Sequence, residues 1–227
     1  MRTIDSNALW KIVGGWCVPN QRSANNSGPC TAVDLVRRYA VIKDISGRTQ
    51  YLLIPTDRVA GIETPEILHE SAPEYWQHAW DAGRYVRARL RMPLAANQLG
   101  LEINSAGQRT QNQLHIHIDC MRADVTAALA PHRSDPLGAW RPARLGGHSY
   151  RVMRVMSLTD QDNPFRVVQR SLGRRQQMDD QTILVMGAGP DTAHDGWLIV
   201  HSGVDRDWGT GYAERLMDHA CKIKPGA

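Results

Sequence analysis

Lysine is nearly missing from this sequence. It stands only at 11, 43, 222 and 224, so arginine supplies 23 of the 27 basic residues. Arginine is the better fork for phosphate oxygens, and it is also simply frequent in chains from GC-rich genomes. Phenylalanine occurs once, and the basic residues are scattered apart from short runs such as RYVRARLR (84–91). With no aromatic platform motif, this pattern argues against nucleic-acid binding. No stretch approaches the ~18 consecutive apolar residues of a membrane span. The opening MRTIDSNALWKIVGGW lacks the charged start, long apolar run and small-residue cleavage site of a signal peptide. What is present is a chain of 227 residues, 42% hydrophobic, with a net charge of +4. That suits one large domain or two fused half-domains around a sizeable core.

CxxC spacing is absent too, which removes a zinc ribbon. The four cysteines are Cys17, Cys30, Cys120 and Cys221. Cys17 and Cys30 flank VPNQRSANNSGP, a stretch of turn-forming residues, and a bridge there would stabilise by roughly 3 kcal/mol through loop closure. Cys120 and Cys221 would then tie the middle of the chain to its C-terminal segment. Four buried free thiols are the alternative. Two disulfides would imply an oxidising compartment.

Residues 38–55 read as two strands turning around Gly47, with Pro55 ending the second. Residues 73–91 have a proline in the first turn and Trp76, Trp80 and Tyr85 near helical period, which predicts a helix closed by Pro93. Trp76 and Trp80 are expected in its core face. LGLEIN (99–104) predicts a short strand, and the polar loop SAGQRTQN leads into QNQLHIHIDC (111–120). So short a loop cannot hold a crossover helix, so these two strands should pair antiparallel. A short helix is expected from 121 to 130, then a loop-rich connector, PHRSDPLGAWRPARLGGHS. Strands follow at 149–156, 182–187 and 196–201, with a final helix over 211–222. The mixture predicts an α+β fold.

QNQLHIHIDC carries the functional signal. On a strand, Gln113, His115, His117 and Asp119 share one face, and Leu114, Ile116, Ile118 and Cys120 the other. The imidazoles could merely hydrogen-bond at a sheet surface. They could hold zinc with Asp119, although no distant ligand pair stands out. Or one could attack phosphorus to give a phospho-histidine, with its tautomer fixed by a partner and the oxygens held by donors from the upstream loop. The third reading is favoured.

Gln113-Leu-His115-Ile-His117-Ile-Asp119 resembles the motif of the histidine-triad nucleotide hydrolases and transferases, with glutamine at the first histidine's place. VIKDISGRTQYLLIPTDRVAGIE (41–63) is similar to that superfamily's strand pair. NSAGQRTQN with HIHI, QYLLIPT, WCVPNQ and the late DHAC together resemble the bacterial CDP-diacylglycerol pyrophosphatase family over nearly the whole chain. The resemblance implies a histidine-triad-like antiparallel sheet with helices packed on it over 1–130, and an added α+β half over 131–227.

The same resemblance implies hydrolysis of CDP-diacylglycerol to CMP and phosphatidate, with His115 as nucleophile, His117 shaping the charge of the site and Gln113 beside them. Asp44 would hold the ribose. Asn104, Ser105, Gln108, Thr110 and Asn112 would contact nucleotide or phosphate, and Arg109 and Arg122 could offset charge. No cofactor or metal is expected. The implied partners are the lipid nucleotide and a membrane surface, possible homodimerisation being left open, and the implied location is the inner membrane or its periplasmic face. The family's usual N-terminal anchor is not in this sequence. A hydrolase of soluble nucleotides and a non-catalytic nucleotide-binding module are the alternatives. His148 has no derivable role and reads as a structural loop histidine.

Overall fold

A computed structural model of the chain describes residues 5–204 and 211–222. Ten strands form one antiparallel sheet: β1 Ala32–Asp34, β2 Tyr39–Lys43, β3 Tyr51–Pro55, β4 Leu99–Ile103, β5 Ile116–Met121, β6 Arg141–Leu145, β7 His148–Val155, β8 Gln181–Gly187, β9 Trp197–Gly203 and β10 Met217–Asp218. Their order across the sheet is β1-β2-β3-β5-β4-β8-β9-β7-β6, with β10 pairing beside the end of β5. The expected α+β class holds, with a large sheet and few helices. The sheet runs without a break from the first half of the chain into the second, because β4 pairs directly with β8.

Ile116 and Ile118 face one side of the sheet, together with Tyr51, Leu53, Leu101 and Ile103. Against this side pack α3 (Tyr75–Leu90), following α1 (Ala8–Ile12) and α2 (Val18–Ala24) in the chain, and later α5 (Pro164–Ser171), which comes after α4 (Ala123–Leu129). Trp76 is fully buried, as expected, and its ring meets Phe165. Trp80 packs edge-on against Trp197. The helix can lie this close to β4 because residue 83 is glycine; a Cβ there would come within 2.4 Å of Leu99 Cδ2. Arg91, in the left-handed region at φ 57°, ends the helix ahead of Pro93.

The opposite face carries two separate apolar patches. One holds Val13, Cys17, Leu52 and Ile54 under the N-terminal helices. The other holds Met121, Val125, Leu184, Leu216 and Met217. His117 lies between them in register, paired with Leu52 on one side and Glu102 on the other. A polar strip therefore crosses this face between two patches of core.

Three expectations are corrected. The connector over 131–149 contains a strand: Leu145 pairs with His148 around Gly146 and Gly147, both at positive φ, so the two glycines are a tight hairpin turn. The segment between Cys17 and Cys30 is helical through Ala24: the backbone runs on from α1 through a π-helical turn, Val13–Cys17, into α2, and Pro19 falls just past that turn. No long helix forms over 211–222. A single 3-10 turn, Ala213–Leu216, leads into β10, and the Asp218 carboxylate then takes the backbone N–H groups of Ala220 and Lys222. Both expected disulfides, Cys17–Cys30 and Cys120–Cys221, are present. No helix among the described residues is long and apolar enough to cross a membrane.

Candidate active site

His115 sits one residue ahead of β5. Its Nδ1 is 2.7 Å from the carbonyl oxygen of Gln113. A carbonyl only accepts, so Nδ1 carries the proton and Nε2 the lone pair. Burial pushes the His115 pKa down, although the Gln113 carbonyl and the charges of Glu214 and Asp44 pull the other way. The ring is therefore a neutral imidazole with a free nitrogen at ordinary pH. It opens on a narrow pocket lined by Gly61, Ile103, Asn104, Arg109 and Gln113.

His117 follows inside the strand, its ring centroid 5.0 Å from that of His115. Its Nδ1 lies 2.5 Å from Gln50 Nε2 and 3.5 Å from Glu214 Oε1, while its Nε2 is buried with no partner among the described residues. Burial and the neighbouring His115 drive its pKa well down. Two residues on, Asp119 accepts from the Thr49 hydroxyl at 2.5 Å and from His219 Nδ1 at 3.0 Å. His219 Nε2 in turn lies 3.4 Å from Glu214 Oε1. With both ring nitrogens on carboxylates, His219 is held as an imidazolium, its pKa raised to about 10 by the Asp119 and then the Glu214 hydrogen bond. Burial alone would raise the Glu214 carboxyl, but the hydrogen bonds from His219 and then Asn104 take it well below the usual carboxylate range.

Glu102 faces His117 across the β4–β5 pairing and is completely buried. Burial, then the Glu214 charge, raise its pKa well above the ordinary value, which favours the neutral acid. Glu102, His117 and Glu214 each bring one ligating atom within 4.8 Å of the others, the spacing a metal ion would need. Their surroundings do not suit one. Gln50 already places an NH2 on His117 Nδ1, and the His219 imidazolium already answers the Glu214 charge. Asp119, Cys120 and Cys221 also cluster, but both sulfurs are spent in the disulfide.

The expected residues divide into groups. Asn104 lines the His115 pocket and donates its Nδ2 to Glu214 Oε2 at 3.1 Å. Ser105 is fully buried and does not line that pocket, and its hydroxyl has no partner among the described residues. Asp44 accepts from the backbone N–H of Ser46 in the β2–β3 turn and acts on His115 through its charge. Arg109 enters the pocket wall, paired twice with Glu63 at 2.5 and 2.6 Å. Gln108, Thr110 and Asn112 are exposed along the loop and do not line that pocket. Gln113 turns away from the imidazoles: its Nε2 donates to the carbonyls of Pro55 and Asp57, clamping the end of β3. Arg122 lies beyond the far end of β5, where it pairs with Asp124 and donates to the carbonyl of Arg215. His148 Nε2 accepts from Arg215 at 2.7 Å, a structural contact next to Glu214.

Sequence reading missed Gln50, Glu102, Glu214 and His219. Gln50 lay inside a quoted strand and His219 inside DHAC, but only register and the C-terminal crossing reveal what they touch. Glu102, a lone acid in the apolar run LGLEIN, is the one signal that the sequence offers.

The sequence model of one family, described as CDP-diacylglycerol pyrophosphatase, matches residues 4–225. The chain is also similar to a protein of Yersinia pestis described as "CDP-diacylglycerol pyrophosphatase". The two are 34% identical over 229 residues, spanning 99% of this chain and 88% of the relative.

Proposed function

The chain belongs to the CDP-diacylglycerol pyrophosphatase family, and from that premise we propose that it hydrolyses CDP-diacylglycerol to CMP and phosphatidate through a covalent CMP-histidine at His115. The observation that carries the reading is the hydrogen bond from His115 Nδ1 to the Gln113 carbonyl, which leaves Nε2 unprotonated on a buried, neutral ring. The likeness of residues 113–119 to the histidine-triad motif supports the same nucleophile.

His115 Nε2 attacks the phosphorus that bears the cytidine. The bond from that phosphorus to the bridging oxygen breaks, and phosphatidate leaves as a phosphate monoester carrying the bridging oxygen. The positive charge that develops on the ring is shared with the Gln113 carbonyl through the retained Nδ1–H. Water then attacks the same phosphorus, the P–N bond breaks, and the electron pair returns to Nε2 while the water's second proton is lost to solvent. Two inverting displacements give net retention at phosphorus. Asn104, which lines the pocket, would meet ribose or phosphate oxygens, and Asp44 holds its charge near the ring. Because the substrate is a lipid, the reaction takes place at a membrane or micelle surface.

Rapid quenching with substrate labelled in the cytidine-side phosphate tests the intermediate. The expected product is label on the protein, acid-labile and base-stable, mapping to His115. Single-turnover hydrolysis with no protein-bound label at any time would point to direct attack by water.

A further inference from the structure

Gln50 Nε2 lies 2.5 Å from His117 Nδ1 and 3.3 Å from Glu214 Oε1. A carboxylate oxygen only accepts, so the atom facing it is the amide NH2. The second hydrogen of that group then points to His117 Nδ1, which must offer its lone pair. The proton of neutral His117 is therefore on Nε2. The same carboxylate orients a second amide. Asn104 Nδ2 lies 3.1 Å from Glu214 Oε2, so Asn104, which lines the His115 pocket, presents Oδ1, a buried acceptor with no partner among the described residues.

We propose that Glu214 is a positioning residue: by taking the NH2 groups of both Gln50 and Asn104, it holds His117 as the Nε2–H tautomer and sets one donor and one acceptor beside the nucleophile. The inference rests on His115 being that nucleophile. It gives the two histidines opposite tautomers, His115 with its proton on Nδ1 and His117 with its proton on Nε2. The division is chemical. His115 needs a lone pair to attack, whereas His117 Nε2–H can donate to an oxygen whose charge grows in the transition state. Asn104 Oδ1 can accept from a ribose hydroxyl or from the attacking water.

The rest of the strip keeps Glu214 fit for this task. His219 bridges it to Asp119, so the carboxylate stays ionised and cannot turn donor. Burial favours the neutral form of Glu102 beside it. The chain brings Glu214 to the strip from 112 residues beyond Glu102, on the segment that Cys221 fastens to Cys120. A glutamine at 214 could not do the same. Its single oxygen accepts from one amide while its own NH2 confronts the other, so Gln50 or Asn104 must turn over. If Gln50 turns, its oxygen faces Nδ1 and the His117 proton moves there.

The test is imidazole nitrogen NMR on the full-length chain labelled with 15N-histidine, near neutral pH, combined with steady-state hydrolysis of CDP-diacylglycerol in detergent micelles. Opposite tautomers for His115 and His117 are expected in the wild type. Glu214→Gln is expected to move His117 toward the Nδ1–H form and to lower kcat by about 100-fold, the cost of one lost oxyanion donor. Glu214→Asp should keep the Nε2–H form and recover most of that loss. A wild-type His117 protonated on Nδ1 would overturn the proposal, as would a Glu214→Gln variant with unchanged tautomer and kcat. Should Glu214→Gln fail to fold, the wild-type spectrum and Gln50→Leu decide in its place, since Gln50→Leu also frees Nδ1. The spectrum needs no substrate, so absence of CMP release would remove the functional reading and leave the tautomer result to judge this one.

Discussion

Cys120 and Cys221 are joined across a sequence separation of 101 residues, so the strand that carries His117 is bonded to the segment that carries Glu214 and His219. This crosslink closes a far longer loop than Cys17–Cys30, whose separation is 13. Loop-closure entropy predicts about 4–5 kcal/mol lost with the first bridge and about 3 kcal/mol with the second. Only the first holds site residues in place. Replacing Cys120 and Cys221 together by alanine is expected to lower both unfolding free energy and kcat. Replacing Cys17 and Cys30 together should lower stability while leaving kcat within a few-fold. Denaturant titrations and assays well below each variant's melting point separate the two effects.

The Gln113 side chain clamps the carbonyls of Pro55 and Asp57. The bond that fixes the His115 tautomer comes from its backbone. Gln113→Ala is therefore expected to cost about 1–3 kcal/mol of stability through the lost hydrogen bonds. Its kcat, measured at low temperature, should fall far less than that of a His115 variant. A kcat loss as deep as that of His115→Ala would show that the side chain itself takes part in the chemistry.

Stability should depend on pH through His219. Its folded-state pKa of about 10 lies above the ordinary 6.5, so its contribution is complete below about pH 6.5 and is lost as pH climbs through about 10. Glu214 works in the other sense: its lowered pKa gives stability above its unfolded value that is lost in acid. Urea midpoints are expected to decline through that alkaline window in the wild type, and less steeply in His219→Gln. Parallel curves would contradict the ionic bridge to Asp119 and Glu214.

Gly61 faces the Arg109–Glu63 pair in the pocket wall. A Cβ at this position would come within 2.0 Å of Arg109 Nη1 and 2.7 Å of Glu63 Oε2. Gly61→Ala must displace the pair into or away from the pocket. The expected result is a rise in KM of about tenfold, in line with a misplaced binding group, with only a modest shift in melting temperature.

Much of the fold was legible because it obeys local rules. The turn at Gly47, the helix ahead of Pro93 and the alternation of Ile116 and Ile118 with His117 and Asp119 all follow from periodicity and turn chemistry. The hairpin at Gly146-Gly147 was missed because its prolines and glycines read as a connector, although a glycine pair is itself a hairpin signal. The 211–222 segment was missed for a different reason. Its helical pattern is overridden by pairing with β5 and by the Asp218 turn, which are tertiary effects. At the site, His115 and His117 stood out because two imidazoles on an apolar strand are unusual. Gln50, Glu102 and the pair Glu214 and His219 come from three separate segments, and nothing local in any of them predicts the shared strip.

Metal-free chemistry is expected from the donor arrangement around His117. Hydrolysis should proceed at full rate after dialysis against excess chelator, and added zinc should not raise it. Activity lost to chelator and restored by zinc would place a cation among Glu102, His117 and Glu214 and displace the imidazole mechanism.

CMP release from CDP-diacylglycerol in detergent micelles, wild type beside His115→Ala with chelator present, tests the central claim most directly. Release by the wild type, with the variant reduced to background while its melting temperature and disulfides are retained, is the predicted result. Equal release by both proteins would contradict it, because the chemistry would then lie away from His115.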